Sequence, residues 1–193
     1  MSNSTVITDN TGTSTLPPAG VYTVDATHST VGFVARHLVA SKVRGRFTDF
    51  AGTITIGDTA ETSSVEATVE ASSITTDNEM RDGHLKSPDF LNLENFPTLT
   101  LKSTKVIAKR AENFEVLADV TLRGVTKSVK FDLEFLGAGP SMVPGSSVVG
   151  FEARGEIDRR DFGVNFEGRL ENGSLIVGNK IVLEFAIEAS KED

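Results

Sequence analysis

The stretch Val129-Lys130-Phe131-Asp132-Leu133-Glu134-Phe135 alternates strictly between apolar and charged residues. A period of two belongs to a β-strand with one dry face and one wet face. Three further stretches repeat it. Val65, Ala67, Val69 and Ala71 alternate with Glu66, Thr68 and Glu70. Phe151, Ala153, Gly155 and Ile157 alternate with Glu152, Arg154 and Glu156, and Leu183, Phe185 and Ile187 with Glu184, Ala186 and Glu188. Burial on one face only is the habit of antiparallel sheets, because parallel sheets are covered on both faces and read as continuous apolar runs.

Working outward, further strands are expected at Val21 to Asp25, Ser29 to Leu38, Lys42 to Phe47, Gly52 to Ile56, Thr98 to Ala108 and Phe114 to Arg123. Corners are expected at Asp49-Phe50, Gly124-Val125 and Asn172-Gly173. Short, evenly spaced strands indicate a barrel or a sandwich. Gly32, Gly45, Gly150 and Gly155 lie inside strands, where closing a barrel requires bends. One segment breaks the pattern: near 77–95 the chain is polar, and Asp77 or Asn78 could cap a short helix through Met80, His84 and Leu85. Pro88 then opens a second turn carrying Phe90 and Leu91. Residues 1–18 are rich in Ser, Thr, Asn and Gly and read as a disordered N-terminal tail, leaving one β-barrel domain over 19–191.

Composition narrows the function. The net charge of −8 disfavours nucleic acid as a main partner. The absence of cysteine removes disulfides, thiolate metal sites and cysteine nucleophiles. No apolar run approaches the roughly 18 residues of a membrane span. The N-terminus lacks the basic start and apolar core of a secretory signal, so the sequence reads as cytoplasmic. Of the aromatics, 12 are Phe, one is Tyr and none is Trp. Phenylalanine fills an interior without bringing a polar atom that needs a partner.

The dry faces supply the candidate interior: Phe33, Phe47, Ile54, Val69, Leu101, Phe131, Leu133, Phe151 and Phe185, with Leu85 and Phe90 at one end. A solid core and a hollow barrel share this period. The small residues Ala35, Gly45, Ala67, Ala71 and Ala153 on the same faces favour a hollow barrel, since they leave volume that a guest would fill.

Several motifs occur in a fixed order. Asp25-x-x-His28-Ser29-x-Val31-x-Phe33-x-x-Arg36-His37-Leu38 is followed by Val43-x-Gly45-x-Phe47-x-x-Phe50-x-Gly52. Then come Arg81-Asp82-x-His84-Leu85-x-Ser87-x-Asp89-Phe90, Phe96-Pro97, Leu122-x-Gly124-Val125-Thr126 and Asp161-Phe162-Gly163. The order and spacing resemble the YceI-like family of bacterial lipid-binding proteins over roughly Gly20 to Ala189. The resemblance implies an all-β, eight-stranded antiparallel lipocalin-like barrel with the short helical insertion noted above. It also implies a long isoprenoid, of polyprenyl or quinone type, held in the interior for storage or transport. Some relatives bind fatty-acid-derived molecules, which is the alternative guest.

The expected ligand-lining set is therefore Phe33, Ala35, His37, Phe47, Ile54, Val69, Leu85, Phe90, Leu101, Phe131, Leu133, Phe151 and Phe185. His37 continues the Val31-Phe33-Ala35 face and reads either as a handle for a headgroup oxygen or as a histidine paired within the protein. His28, His37 and His84 match no zinc spacing, and no metal or other cofactor is expected. Arg81, Asp82 and His84 read either as a lid or as ties fastening the helical loop. Lys42, Arg44 and Arg46 form a basic stripe that would touch an anionic membrane transiently or protect a sheet edge. No nucleophile elbow, phosphate loop or His-Glu-x-x-His is present, so no enzyme is expected. The other readings are an enzyme acting on a lipid headgroup at the barrel mouth and a solid structural module. A homodimer through an edge strand is a further expectation.

Overall fold

A computed structural model describes residues 6–9, 12–38 and 41–192. Strands β1 (Val6–Asp9) and β2 (Gly12–Thr15) pair with each other, so part of the segment read as a tail is a small ribbon. The barrel elements follow: β3 (Gly20–Val24), β4 (Thr30–His37), β5 (Ser41–Phe47), β6 (Phe50–Ile56), β7 (Ser64–Glu70) and β8 (Ile74–Thr75). Helix α1 (Glu79–Lys86) precedes β9 (Thr98–Ala108), β10 (Asn113–Leu122), β11 (Val125–Pro140), β12 (Ser146–Asp158) and β13 (Val177–Glu192). No helix among the described residues is long and apolar enough to cross a membrane.

The pairings close a ring of eight antiparallel strands, because three pairs of short strands are each one long, bent strand. Along β13, β3 pairs at Val24 and β4 pairs from Thr30 to His37. Likewise β6 pairs with β3 while β5 pairs with β4, and β7 pairs with β6 while β8 pairs with β5. Ladders through β9, β10, β11 and β12 return to β13, which closes the barrel. Asp49 thus lies at a bend within one strand and not at a reversal.

The motif Asp25-x-x-His28-Ser29 builds the bend between β3 and β4. Asp25 Oδ1 accepts from the Thr27 amide at 2.8 Å, and Oδ2 meets His28 Nδ1 at 2.8 Å. Ser29 Oγ donates to the Glu188 carbonyl at 3.1 Å and accepts from the Glu188 amide at 3.0 Å, riveting the bend to β13. The Asp25 hydrogen bond raises the His28 pKa above its ordinary value and lowers that of Asp25. At the other sharp corner, Arg123 (φ 52°) and Gly124 (φ 71°) are both left-handed, as a two-residue hairpin turn between β10 and β11 requires. Asn172-Gly173 is a tight turn inside the 163–176 loop that links β12 to β13.

The helical insertion forms where its sequence places it. Asn78 is the N-cap, its Oδ1 accepting from the Arg81 amide at 3.0 Å. Asp82 accepts from Thr75 Oγ1 (3.0 Å), the Thr76 amide (2.8 Å) and Thr76 Oγ1. Arg81 donates to Thr76 Oγ1 (2.7 Å) and the Thr76 carbonyl (2.9 Å). These bonds fasten α1 across one end of the barrel. Arg123 donates to the carbonyls of Pro88 and Phe90 and holds the following turns under the same end.

Candidate functional site: an apolar cavity in the barrel

The dry faces of all the long strands converge on the lumen, and they do not fill it. Two compartments of about 170 and 180 Å³ run through the interior. Val31, Val69, Leu101 and Phe185 line both, so the two lie side by side across these residues. Their walls are almost wholly apolar atoms. Even Arg159, which borders the second compartment, is 3% exposed and turns its guanidinium to the backbone. A void of this size with such walls stays dry and accepts apolar guests.

Twelve of the thirteen expected lining residues border this cavity. Ile54, Phe131, Leu133 and Phe151 face the first compartment. Phe33, Ala35, Phe47, Leu85 and Phe90 face the second, and Val69, Leu101 and Phe185 face both. The solid-core reading is thereby replaced by a hollow barrel. His37 is the correction. It pairs in register with Ser41 and Val177, lies half-buried at the end of β4, and borders neither compartment. Its partner strand β13 is irregular between Val177 and Ile181, while the pairing of β4 with β5 stays regular through His37.

The charged candidates are engaged elsewhere. Arg81 and Asp82 are bound to Thr75 and Thr76, as described. His84 Nε2 lies 2.9 Å from Asp89 Oδ2, and its ring stands edge-on to Phe90 and Phe166 at 5.0 and 5.1 Å. In the basic stripe, Arg44 meets Glu184 at 3.0 Å and Arg46 grips Asp77 with two bonds. His28 meets Asp25 and Glu188 instead of another histidine, with ligand-type atoms within 4.8 Å of one another on the surface. The Asp25 hydrogen bond already engages Nδ1.

Sequence reasoning missed several walls. Phe114, Val116 and Val120 on β10 line the cavity and show the same alternation, but their phase was not assigned. Leu16 and Pro17 line the first compartment from within the presumed tail. Arg159 was also missed. Its guanidinium donates to the carbonyls of Gly178 (3.1 Å), Val164 (2.6 Å), Phe166 (2.8 Å) and Val177 (3.4 Å), and to Asn179 Oδ1 (3.0 Å). It stitches the 163–176 loop to β13; its burial, the dominant cause, lowers its pKa.

Residues 22–189 match the family described as the YceI-like domain. The chain belongs to that family. It is 36% identical to a UPF0312 protein of Staphylococcus aureus over 171 residues, 88% of this chain and 96% of the other. Among solved structures, the YCEI protein of Campylobacter jejuni superposes with a TM-score of 0.70 at 27% identity, covering 82% of this chain and 90% of that one. A polyisoprenoid binding domain from Saccharophagus degradans shares the fold with a TM-score of 0.62 at 16% identity, covering 87% and 97%. The YceI-like barrel is thus the frame on which the cavity is built, and the lining residues from Val24 to Ile187 lie inside the matched stretch.

Proposed function

We propose that this YceI-like protein binds one long apolar lipid, of polyprenyl or isoprenoid-quinone type, along its lumen and stores or carries it. The observation that carries the reading is the pair of apolar compartments that share the Val31, Val69, Leu101 and Phe185 wall. Each buried methylene contributes about 0.8 kcal/mol, so a long chain binds tightly without a polar contact. The Saccharophagus neighbour, described as binding polyisoprenoid, supports the isoprenoid over other chains. Apolar walls recognise chain bulk and length, not headgroup chemistry, so a fatty acyl chain competes for the same space. The protein is a binder and not a catalyst in this reading, since Arg81, Asp82 and His84 are committed to structural bonds.

Incubation with a polyprenol, an isoprenoid quinone and a saturated fatty acid, followed by gel filtration and extraction, tests the proposal. Co-elution of the isoprenoids at about one chain per barrel is expected. Failure of all three to co-elute would refute it.

A further inference from the structure

The two compartments are walled by segments held in different ways. The second is walled by Leu85, Phe90 and Leu91, on segments tied down by Asp82, Arg81 and Arg123. The first is walled at its N-terminal side by Leu16 and Pro17. Leu16 is 2% exposed, yet both residues precede the 22–189 stretch that matches the family. The segment is held by the Thr15 amide donating to the Ala111 carbonyl at 3.1 Å and by Tyr22 Oη donating to the Pro18 carbonyl at 3.0 Å. Before it, β1 and β2 pair with each other, and among the described strands neither joins the barrel sheet. A wall delivered by a segment outside the sheet opens at lower cost than one woven into it.

We infer that Leu16 and Pro17 are a removable stopper, so that the guest passes through this end and Leu16 limits the longest chain the barrel encloses. The inference rests on the lipid-binding proposal. All-trans-retinol, a fluorescent isoprenoid, is the probe. Its release from full-length protein into phosphatidylcholine vesicles is followed by stopped flow for wild type, Leu16→Ala, Leu16→Glu and Leu16→Met. Release about tenfold faster from Leu16→Ala and Leu16→Glu is expected, with Leu16→Met close to wild type because it refills the volume. The longest polyprenol retained should lengthen in Leu16→Ala. Unchanged release and unchanged length limit in folded Leu16→Ala, with retinol still bound, would overturn the stopper and leave the binding proposal standing. Equal acceleration in Leu16→Met would also overturn it. A wild-type protein that takes up no retinol would overturn both.

Discussion

The ring of Phe33 lies against the backbone of Gly45, so close that a β-carbon at residue 45 would sit 2.3 Å from Phe33 Cζ. The two are direct partners across β4 and β5. Phe131 and Gly155, partners across β11 and β12, repeat the arrangement at 2.7 Å. A glycine opposite the ring lets the phenylalanine lie along the wall instead of projecting into the lumen. Gly45→Ala should push the ring inward, destabilise the barrel by about 1–3 kcal/mol in urea unfolding and reduce bound lipid. Phe33→Leu combined with Gly45→Ala should recover most of the loss, which a double-mutant cycle reads as a coupling energy.

If the space beside Ala153 belongs to a guest, bulk placed there should displace the guest without disturbing the fold. Ala153→Phe is expected to lower extractable lipid severalfold while leaving the urea midpoint of the lipid-free protein unchanged or higher, because the ring fills an existing void. Lipid content measured per folded protein decides this.

Arg159 satisfies four carbonyls and one amide oxygen from a buried site. Arg159→Met leaves those acceptors without donors and should cost about 3 kcal/mol or more. Arg159→Lys should recover little, since an ammonium lacks the planar fork that reaches all five. Thermal unfolding of both variants, and proteolysis within the 163–176 loop, provide the check.

Acid should weaken the same corner. The Arg160 guanidinium, bonded to Asp158 at 2.6 Å, holds the Asp158 carboxyl at a pKa of about 2, below the ordinary 3.8. A carboxyl depressed in the folded state contributes stability in full above its unfolded pKa and loses it as the pH falls through the folded one. Stability should therefore decline between about pH 4 and about pH 2. Arg160→Gln should flatten that part of the profile, as measured by urea midpoints across the range.

Much of this design is legible in the chain. Alternation phases the interior of β7, β11, β12 and β13, and Val69, Phe131, Phe151 and Phe185, picked out by it, border the cavity, since a one-residue slip would turn each to solvent. What escapes is whatever parity cannot encode. His37 has the parity of Ala35 yet borders neither compartment, at the end of β4 where β13 opposite it is irregular. Arg159 looks like a surface cation, and its burial follows from carbonyls that the loop back from Val164 supplies. Leu16 sits in polar, low-complexity sequence, and only the closed barrel provides the opening it fills. The bend at Asp49 reads as a turn because a bent strand and a reversal carry the same polar residues.

The most direct test of a lipid-filled lumen is native mass spectrometry of freshly purified protein, followed by solvent extraction and mass identification of what is released. The account predicts one apolar species per barrel whose related forms differ by five-carbon steps. Protein that is empty as purified, and stays empty after exposure to prenols, quinones and fatty acids, would contradict it.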